Sequence, residues 1–222
     1  MVRIKVKICG ITNASDAEAA CEAGADSLGF NFYEQSPRYI SKDDAAKIRA
    51  AMPPEALAVG VFVNAKADDI THICSSLEFH AAQLHGDESP ENLAELARTL
   101  VVVKAFRLGS DFNLATLDAY PQAFAFLLDA ALPGQYGGTG QTIDWSLAQR
   151  AAATRRIILA GGLNVENVAA AIASVRPYGV DVASGLEIKP GKKDHARVRE
   201  FIHAVRRAEK QLDTSPERSH SA

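Results

Sequence analysis

A cysteine that closes a strand-like run, two residues beyond a lysine, has the chemistry for proton transfer. In "VKICGIT" (6–12), strand alternation puts Val2, Ile4, Val6 and Ile8 on one face and Arg3, Lys5, Lys7 and Cys9 on the other. The apolar set suits a face packed on helices; the second set then points to the opposite side, with Cys9 at the strand exit. By strand rise, Lys7 is expected roughly 7 Å below the sulfur. A nearby ammonium favours thiolate and lowers a cysteine pKa, so Cys9 is a candidate base or nucleophile. The competing reading is a small buried hydrophobe, a common fate of free cysteine. Cys21 and Cys74 fall inside helical segments among alanine, serine and isoleucine and read as packing residues.

A carboxylate closes a second run, "AFAFLLD" (123–129), where Ala123, Ala125, Leu127 and Asp129 share a face. A charge at that place is costly unless it reaches a rim or a partner. Partial burial favours the protonated form, which a general acid needs at neutral pH. Asp129 is equally readable as an acceptor for loop N–H groups. Asp181, in "GVDVAS" (179–184), stands further from its strand exit and reads as a supporting residue.

Anion-binding signals lie late in the chain. "LAGGLN" (159–164) and "VASGLE" (182–187) each follow an apolar run with glycine, which lets backbone N–H groups approach an anion; plain turn chemistry is the alternative. Arg38, in "SPRYI" (36–40), can fork onto a carboxylate or simply be solvated. "PGQYGGTGQTIDW" (133–145) lacks the strand–turn–helix setting of a nucleotide fingerprint and reads as a lid.

These groups need a frame to bring them together. Apolar runs recur at 3–9, 26–32, 57–63, 80–84, 100–106, 123–129, 156–162 and 179–184. Helical patterns follow them at 15–23, 41–51, 67–77, 89–98, 111–119, 144–152, 164–174 and 194–209. Ser15 with Glu18 fits a capping box, Ser89–Pro90 fits N-cap and N1, Asn164 fits an N-cap, and Gly24 stands past a helix end. Strands alternating with helices predict parallel βαβ units. Eight such units predict an α/β fold of the closed (β/α)₈ TIM-barrel type, whose chemistry sits where the strands end. A doubly wound sheet would more usually carry fewer strands and an early nucleotide fingerprint. One barrel domain is expected over 1–208, with a polar tail at 209–222 that frays.

Composition narrows the class. The net charge of −3 gives no case for nucleic acid, and the basic stretch 197–210 reads as the outer face of a last helix. Three widely spaced cysteines offer neither a disulfide framework nor zinc spacing. No apolar run approaches the ~18 residues of a membrane span, and the charged start does not fit a secretory signal. The expectation is a cytoplasmic, monomeric protein without metal, acting on a small molecule.

The chain resembles the phosphoribosylanthranilate isomerase family of tryptophan biosynthesis. The likeness spans nearly all of residues 3–205 and rests on "KICGIT", "GFNFYEQSPRYI", "VGVFVN", "QLHGDE", "LLDA", "GGTGQTIDW", "LAGGLN" and "DVASGLE…PGKKD". It implies a cofactor-free Amadori rearrangement of a phosphorylated aminoaldose. By position, Cys9 resembles the general base, Asp129 the general acid and Arg38 the residue holding the anthranilate carboxylate. Gly161–Gly162 and Ser184–Gly185 resemble the phosphate cradle. Gln83 and His85 belong to a family motif; their shared strand parity suits a rim position. The histidine-pathway isomerase performs the same rearrangement with two aspartates, and Cys9 disfavours it. A non-catalytic phosphate-binding barrel is the rival of another class.

Overall fold

Ile4, Val6 and Ile8 are fully buried, as the alternation in the first strand requires. Full burial of such a side chain is worth ~1.5–3 kcal/mol. A one-residue slip would expose all three and turn lysines into the core, so the register is tightly specified. The computed structural model describes residues 3–108, 112–129 and 145–214. Its elements run β1 (Lys5–Cys9), α1 (Ala14–Glu22), β2 (Ser27–Asn31), α2 (Lys42–Ala51), β3 (Leu57–Phe62), α3 (Ala67–Ser76), β4 (Ala81–Leu84) and α4 (Pro90–Leu96). Then come β5 (Val101–Arg107), a 3-10 helix (Leu114–Ala119), β6 (Ala125–Asp129), α5 (Ser146–Ala152), β7 (Ile157–Ala160), α6 (Val168–Val175) and β8 (Gly179–Val182). A 3-10 turn (Ser184–Leu186), a short hairpin of β9 (Glu187–Lys189) and β10 (Lys192–Lys193), and α7 (His195–Thr214) follow among the described residues.

Strands β1 to β8 pair in sequence order, all parallel, and β8 closes on β1. The structure is therefore the expected eight-stranded barrel with helices outside. Its core has two parts. The larger lies between sheet and helices and includes Ile4, Val6, Ile8, Leu28, Phe30, Leu84, Phe126 and Leu128. The smaller, Val103, Ala105, Ala125, Leu127 and Ala160 with Ile158 against it, comes from the opposite faces of β5, β6 and β7 and fills one side of the barrel interior. The other side is polar: Lys7, Gln83 and Asp181 are buried on the inward parity of β1, β4 and β8.

Four local readings change. Helix α1 is capped by Asn13, whose Oδ1 accepts from Asp16 N at 2.9 Å, and not by a Ser15–Glu18 box. Asp16 is drawn into the fold by Lys193 N and His195, which fixes the start of the helix there. The segment expected as a helix over 111–119 is a 3-10 helix whose one buried side chain is Leu117. Helix α6 begins one turn late, although Asn164 still accepts from Asn167 N. Helix α7 continues to Thr214, beyond the boundary expected at 208, and Leu212 in that extension packs against the core. Ser89 and Pro90 behave as expected, with Ser89 accepting from Asn92 N.

Candidate active site

Eight parallel strands end at one mouth. Cys9 is the last residue of β1 and Asp129 the last of β6. Asp129 shares inward parity with Ala125 and Leu127, and Cys9 shares it with Lys7. On the neighbouring strand Gly29 leaves the space they need. A β-carbon there would stand 2.8 Å from Cys9 Sγ and 3.0 Å from Lys7 Nζ. Because both atoms border that one space, the Lys7 ammonium lies nearer the sulfur than one strand layer suggests and acts on the thiol electrostatically. Its hydrogen-bond partner is Asp181, at 3.0 Å.

Burial pushes the Cys9 thiol above its ordinary pKa, and Lys7 opposes without reversing this. The lowering expected from sequence is thus corrected. The cause is desolvation, together with an ammonium whose charge is shared with Asp181. Burial pulls the Lys7 pKa down, yet Asp181 and Cys9 outweigh it and the net shift is upward.

Across the mouth, Gln83 Nε2 lies 3.2 Å from His85 Nδ1. An amide nitrogen can only donate, so Nδ1 accepts and the proton of a neutral ring sits on Nε2. Burial holds the His85 pKa below its usual value, and the ring lies within electrostatic reach of Asp129, Asp181, Lys7 and Arg107. His85 therefore feels charges from both the β1–β8 side of the mouth and the β5–β6 side. Arg107 is a residue that sequence reasoning missed. It ends β5 on the parity of Val103 and Ala105 and is the register partner of Asp129. The parity rule that found Asp129 would have found it too.

Arg38 reaches the same mouth from the loop after β2. Gly10, at φ +75°, makes way for it, since a β-carbon there would fall 2.5 Å from Arg38 Cδ. Its guanidinium forks onto Glu187, with Nε to Oε1 at 2.9 Å and Nη2 to Oε2 at 2.7 Å. Lys193 adds a second cation to that carboxylate at 2.8 Å and donates to the Cys9 and Ala183 carbonyls at 2.6 and 3.3 Å. The β9–β10 hairpin thereby ties the exits of β1 and β8 to Arg38. Neither Glu187 nor Lys193 was singled out in the sequence.

Burial alone would raise the Glu187 pKa, but hydrogen bonds from Arg38 and Lys193 outweigh it and hold the carboxyl below its usual range. A depressed folded pKa gives stability that is present above the unfolded value of 4.5 and lost as pH falls through the folded one. The destabilisation caused by Glu187→Gln should therefore be larger near neutral pH than at about pH 3. Thermal unfolding at the two pH values checks this, and an equal penalty at both would contradict it.

The glycine joints after β7 and β8 meet. Gly161 and Gly162 take φ of +87° and +64°. A β-carbon on Gly185 would sit 2.0 Å from Leu163 O, so only glycine lets the Ser184–Gly185 turn lie against the β7 joint. Asn167 Nδ2 donates to Gly162 O at 2.9 Å and braces the turn. The expected lid lies, over 133–144, outside the described residues. Among the described residues no helix is long and apolar enough to cross a membrane.

A family model described as N-(5'phosphoribosyl)anthranilate (PRA) isomerase matches residues 6–204. The N-(5'-phosphoribosyl)anthranilate isomerase of Pelobacter propionicus is 48% identical over 203 residues, which is 91% of this chain and 96% of that protein. The crystal structure of the phosphoribosyl anthranilate isomerase from Thermotoga maritima superposes with a TM-score of 0.86 at 43% identity, covering 92% of this chain and 99% of that one. A further isomerase structure, in complex with reduced 1-(o-carboxyphenylamino)-1-deoxyribulose 5-phosphate, is similar at 41% identity and a TM-score of 0.83, covering 92% and 99% of the two chains. The chain belongs to the N-(5'-phosphoribosyl)anthranilate isomerase family of tryptophan biosynthesis.

Proposed function

We propose that Cys9 is the general base and Asp129 the general acid of the family's reaction, the conversion of N-(5-phosphoribosyl)anthranilate to 1-(2-carboxyphenylamino)-1-deoxyribulose 5-phosphate. One observation carries the assignment. The two groups end parallel strands on inward faces of one mouth, with His85 in the electrostatic reach of Asp129 on one side and of Lys7 on the other. Asp129 gives its proton to the furanose ring oxygen as the bond from that oxygen to C1 breaks, and the anthranilate nitrogen supplies the electron pair for an iminium ion. The Cys9 thiolate removes the C2 proton, and the C2–H electrons form the enolamine, which tautomerises to the ketone. The reaction needs the donor protonated and the base ionised at a single pH; burial works against the thiolate, so it acts as a minor form that a local cation must stabilise.

The substrate carries a phosphate and a carboxylate, while the chain has a net charge of −3, so attraction must be local. The paired joints at Gly161–Gly162 and Ser184–Gly185 suit the phosphate, and Arg38 suits the carboxylate. The relative solved with a reduced carboxyphenylamino-deoxyribulose phosphate supports a ligand carrying both groups. Gln83 fixes His85, which presents its Nε2–H at the mouth. Both acid and base belong to one chain, so a monomer is competent, and we read the working unit as a monomer in the cytoplasm that needs no cofactor.

Fresh N-(5-phosphoribosyl)anthranilate mixed with the protein should lose its fluorescence enzymatically, and a trace unchanged from the buffer control rejects the activity. Arg38→Ala should raise KM about tenfold or more, the loss of a charge-assisted contact from a guanidinium that Glu187 orients, with a smaller effect on kcat. An unchanged KM counts against carboxylate binding.

A further inference from the structure

Beneath Cys9 lies a buried ion pair that the acid and base assignments leave unused. Lys7 Nζ and Asp181 Oδ1 are 3.0 Å apart, with side chains 7% and 8% exposed. They are register partners on β1 and β8. Withdrawing two charges from water costs several kcal/mol per ion, and apolar replacements of similar volume often serve stability as well. Stability alone is therefore a weak reason for placing this pair inside a barrel whose other side is filled by valine, alanine and leucine.

The geometry supplies a better reason. Gly29 clears a space bounded by Lys7 Nζ and Cys9 Sγ, so no side chain from β2 comes between the ammonium and the sulfur. Lys7 donates to Asp181 on one side and faces the Cys9 sulfur across the Gly29 space on the other. The remaining charges around Cys9 act on the thiol more weakly than Lys7 or stand further off. Lys193, on β10, contacts the Cys9 carbonyl and is matched by Glu187. Arg38, whose stem crosses Gly10, is also bound by Glu187. His85 after β4 is held toward its neutral form by burial. Asp129 and Arg107 stand on β6 and β5, across the barrel.

We propose that Lys7 is a positioning residue for Cys9: with its charge anchored by Asp181, its ammonium stabilises the thiolate that abstracts the C2 proton. This rests on Cys9 as the base. It also explains how a thiol pushed upward by burial can ionise at all, since Lys7 is the cation that acts most strongly on it. Asp181 acts behind it, keeping a buried lysine protonated.

The test is the pH dependence of Cys9 alkylation by iodoacetamide in the substrate-free, full-length protein. The thiolate displaces iodide, so the rate follows the ionised fraction, and peptide mass separates Cys9 from Cys21 and Cys74. Lys7→Met should raise the midpoint by at least about half a pH unit, and Lys7→Arg should stay within about half a unit of the parent. The double variant Lys7→Met/Asp181→Asn, which leaves no unpaired charge, should also lie above the parent. It carries the test if the single variant does not fold. A midpoint at the parental value in folded Lys7→Met, or at or below it in the double variant, overturns the proposal. Failure of the Cys9 assignment is distinct. In that case Cys9→Ser would keep its turnover while the alkylation midpoint still moved with Lys7.

Discussion

Replacing Cys9 by serine is expected to lower kcat by at least ~100-fold, within the ~10² to 10⁴ that one positioned base typically contributes. A hundredfold loss corresponds to ~2.7 kcal/mol of transition-state stabilisation. Oxygen for sulfur changes little in volume, and Cys9 is half-buried at the rim rather than packed in the core, so the fold should persist. Serine has no accessible anion at neutral pH, and Lys7 cannot supply one. The pH profile adds a second readout. Burial holds the Cys9 thiol above its ordinary value, so the thiolate is the minor form near neutrality and its share grows as pH rises. If Cys9 is the base, kcat/KM of the parent climbs with pH on that limb, and the climb disappears in Cys9→Ser. Near-parental turnover in the variant, or an unchanged limb, would reject the role.

The barrel was legible because its signals are periodic and local. "RIKVKIC" shows its two faces by alternation alone, and "AFAFLLD" places Asp129 by the same rule. The same rule also points to the mouth, since residues at the ends of parallel strands meet there whatever their separation in sequence. Ser89–Pro90 declared a helix start because capping and the missing proline N–H act within one turn. The α1 cap was misread for the complementary reason. Asp16 answers to Lys193 and His195, more than 170 residues away, and no local pattern records that.

The charges of the site were harder to read, because their meaning depends on partners brought by other strands. Lys7 beside Cys9 suggested a lowered thiol pKa, since two residues of sequence reveal the cation but not the dry interior or Asp181 beyond it. Arg38 appeared as an isolated loop arginine. Its grip on Glu187 joins residues 149 apart in the chain. Lys193 sat in a basic "GKKD" stretch where nothing marked one lysine for full burial on the Cys9 carbonyl. Gly29 and Gly185 looked like ordinary glycines. Only the assembled barrel shows that the first must leave room for a sulfur and an ammonium, and the second for a neighbouring backbone carbonyl.

Asp129→Asn is expected to reduce kcat by at least ~100-fold with KM within about threefold of the parent, and the division between the two constants is what makes it informative. Two readings of Asp129 are open: proton donor to the ring oxygen, or acceptor that shapes the loop beyond β6. Asparagine keeps the size of the side chain and one carbonyl oxygen, so a loop-shaping acceptor survives in large part. It cannot transfer a proton, because an amide N–H is no acid at working pH. The backbone anchor also remains, since Leu108 N donates to the Asp129 carbonyl at 2.8 Å whatever the side chain. A loop role therefore predicts a small loss, or one carried mainly by KM as substrate contacts loosen. A donor role predicts normal binding and a collapse of turnover, because the bond from C1 to the ring oxygen cannot break without a proton for its leaving oxygen. The loss should not be additive with Cys9→Ser: ring opening must precede C2 deprotonation, so removing either group halts the same sequence. Turnover of Asp129→Asn near the parental value, or a double variant whose loss equals the product of the two single losses, would show that the carboxyl is not the proton donor.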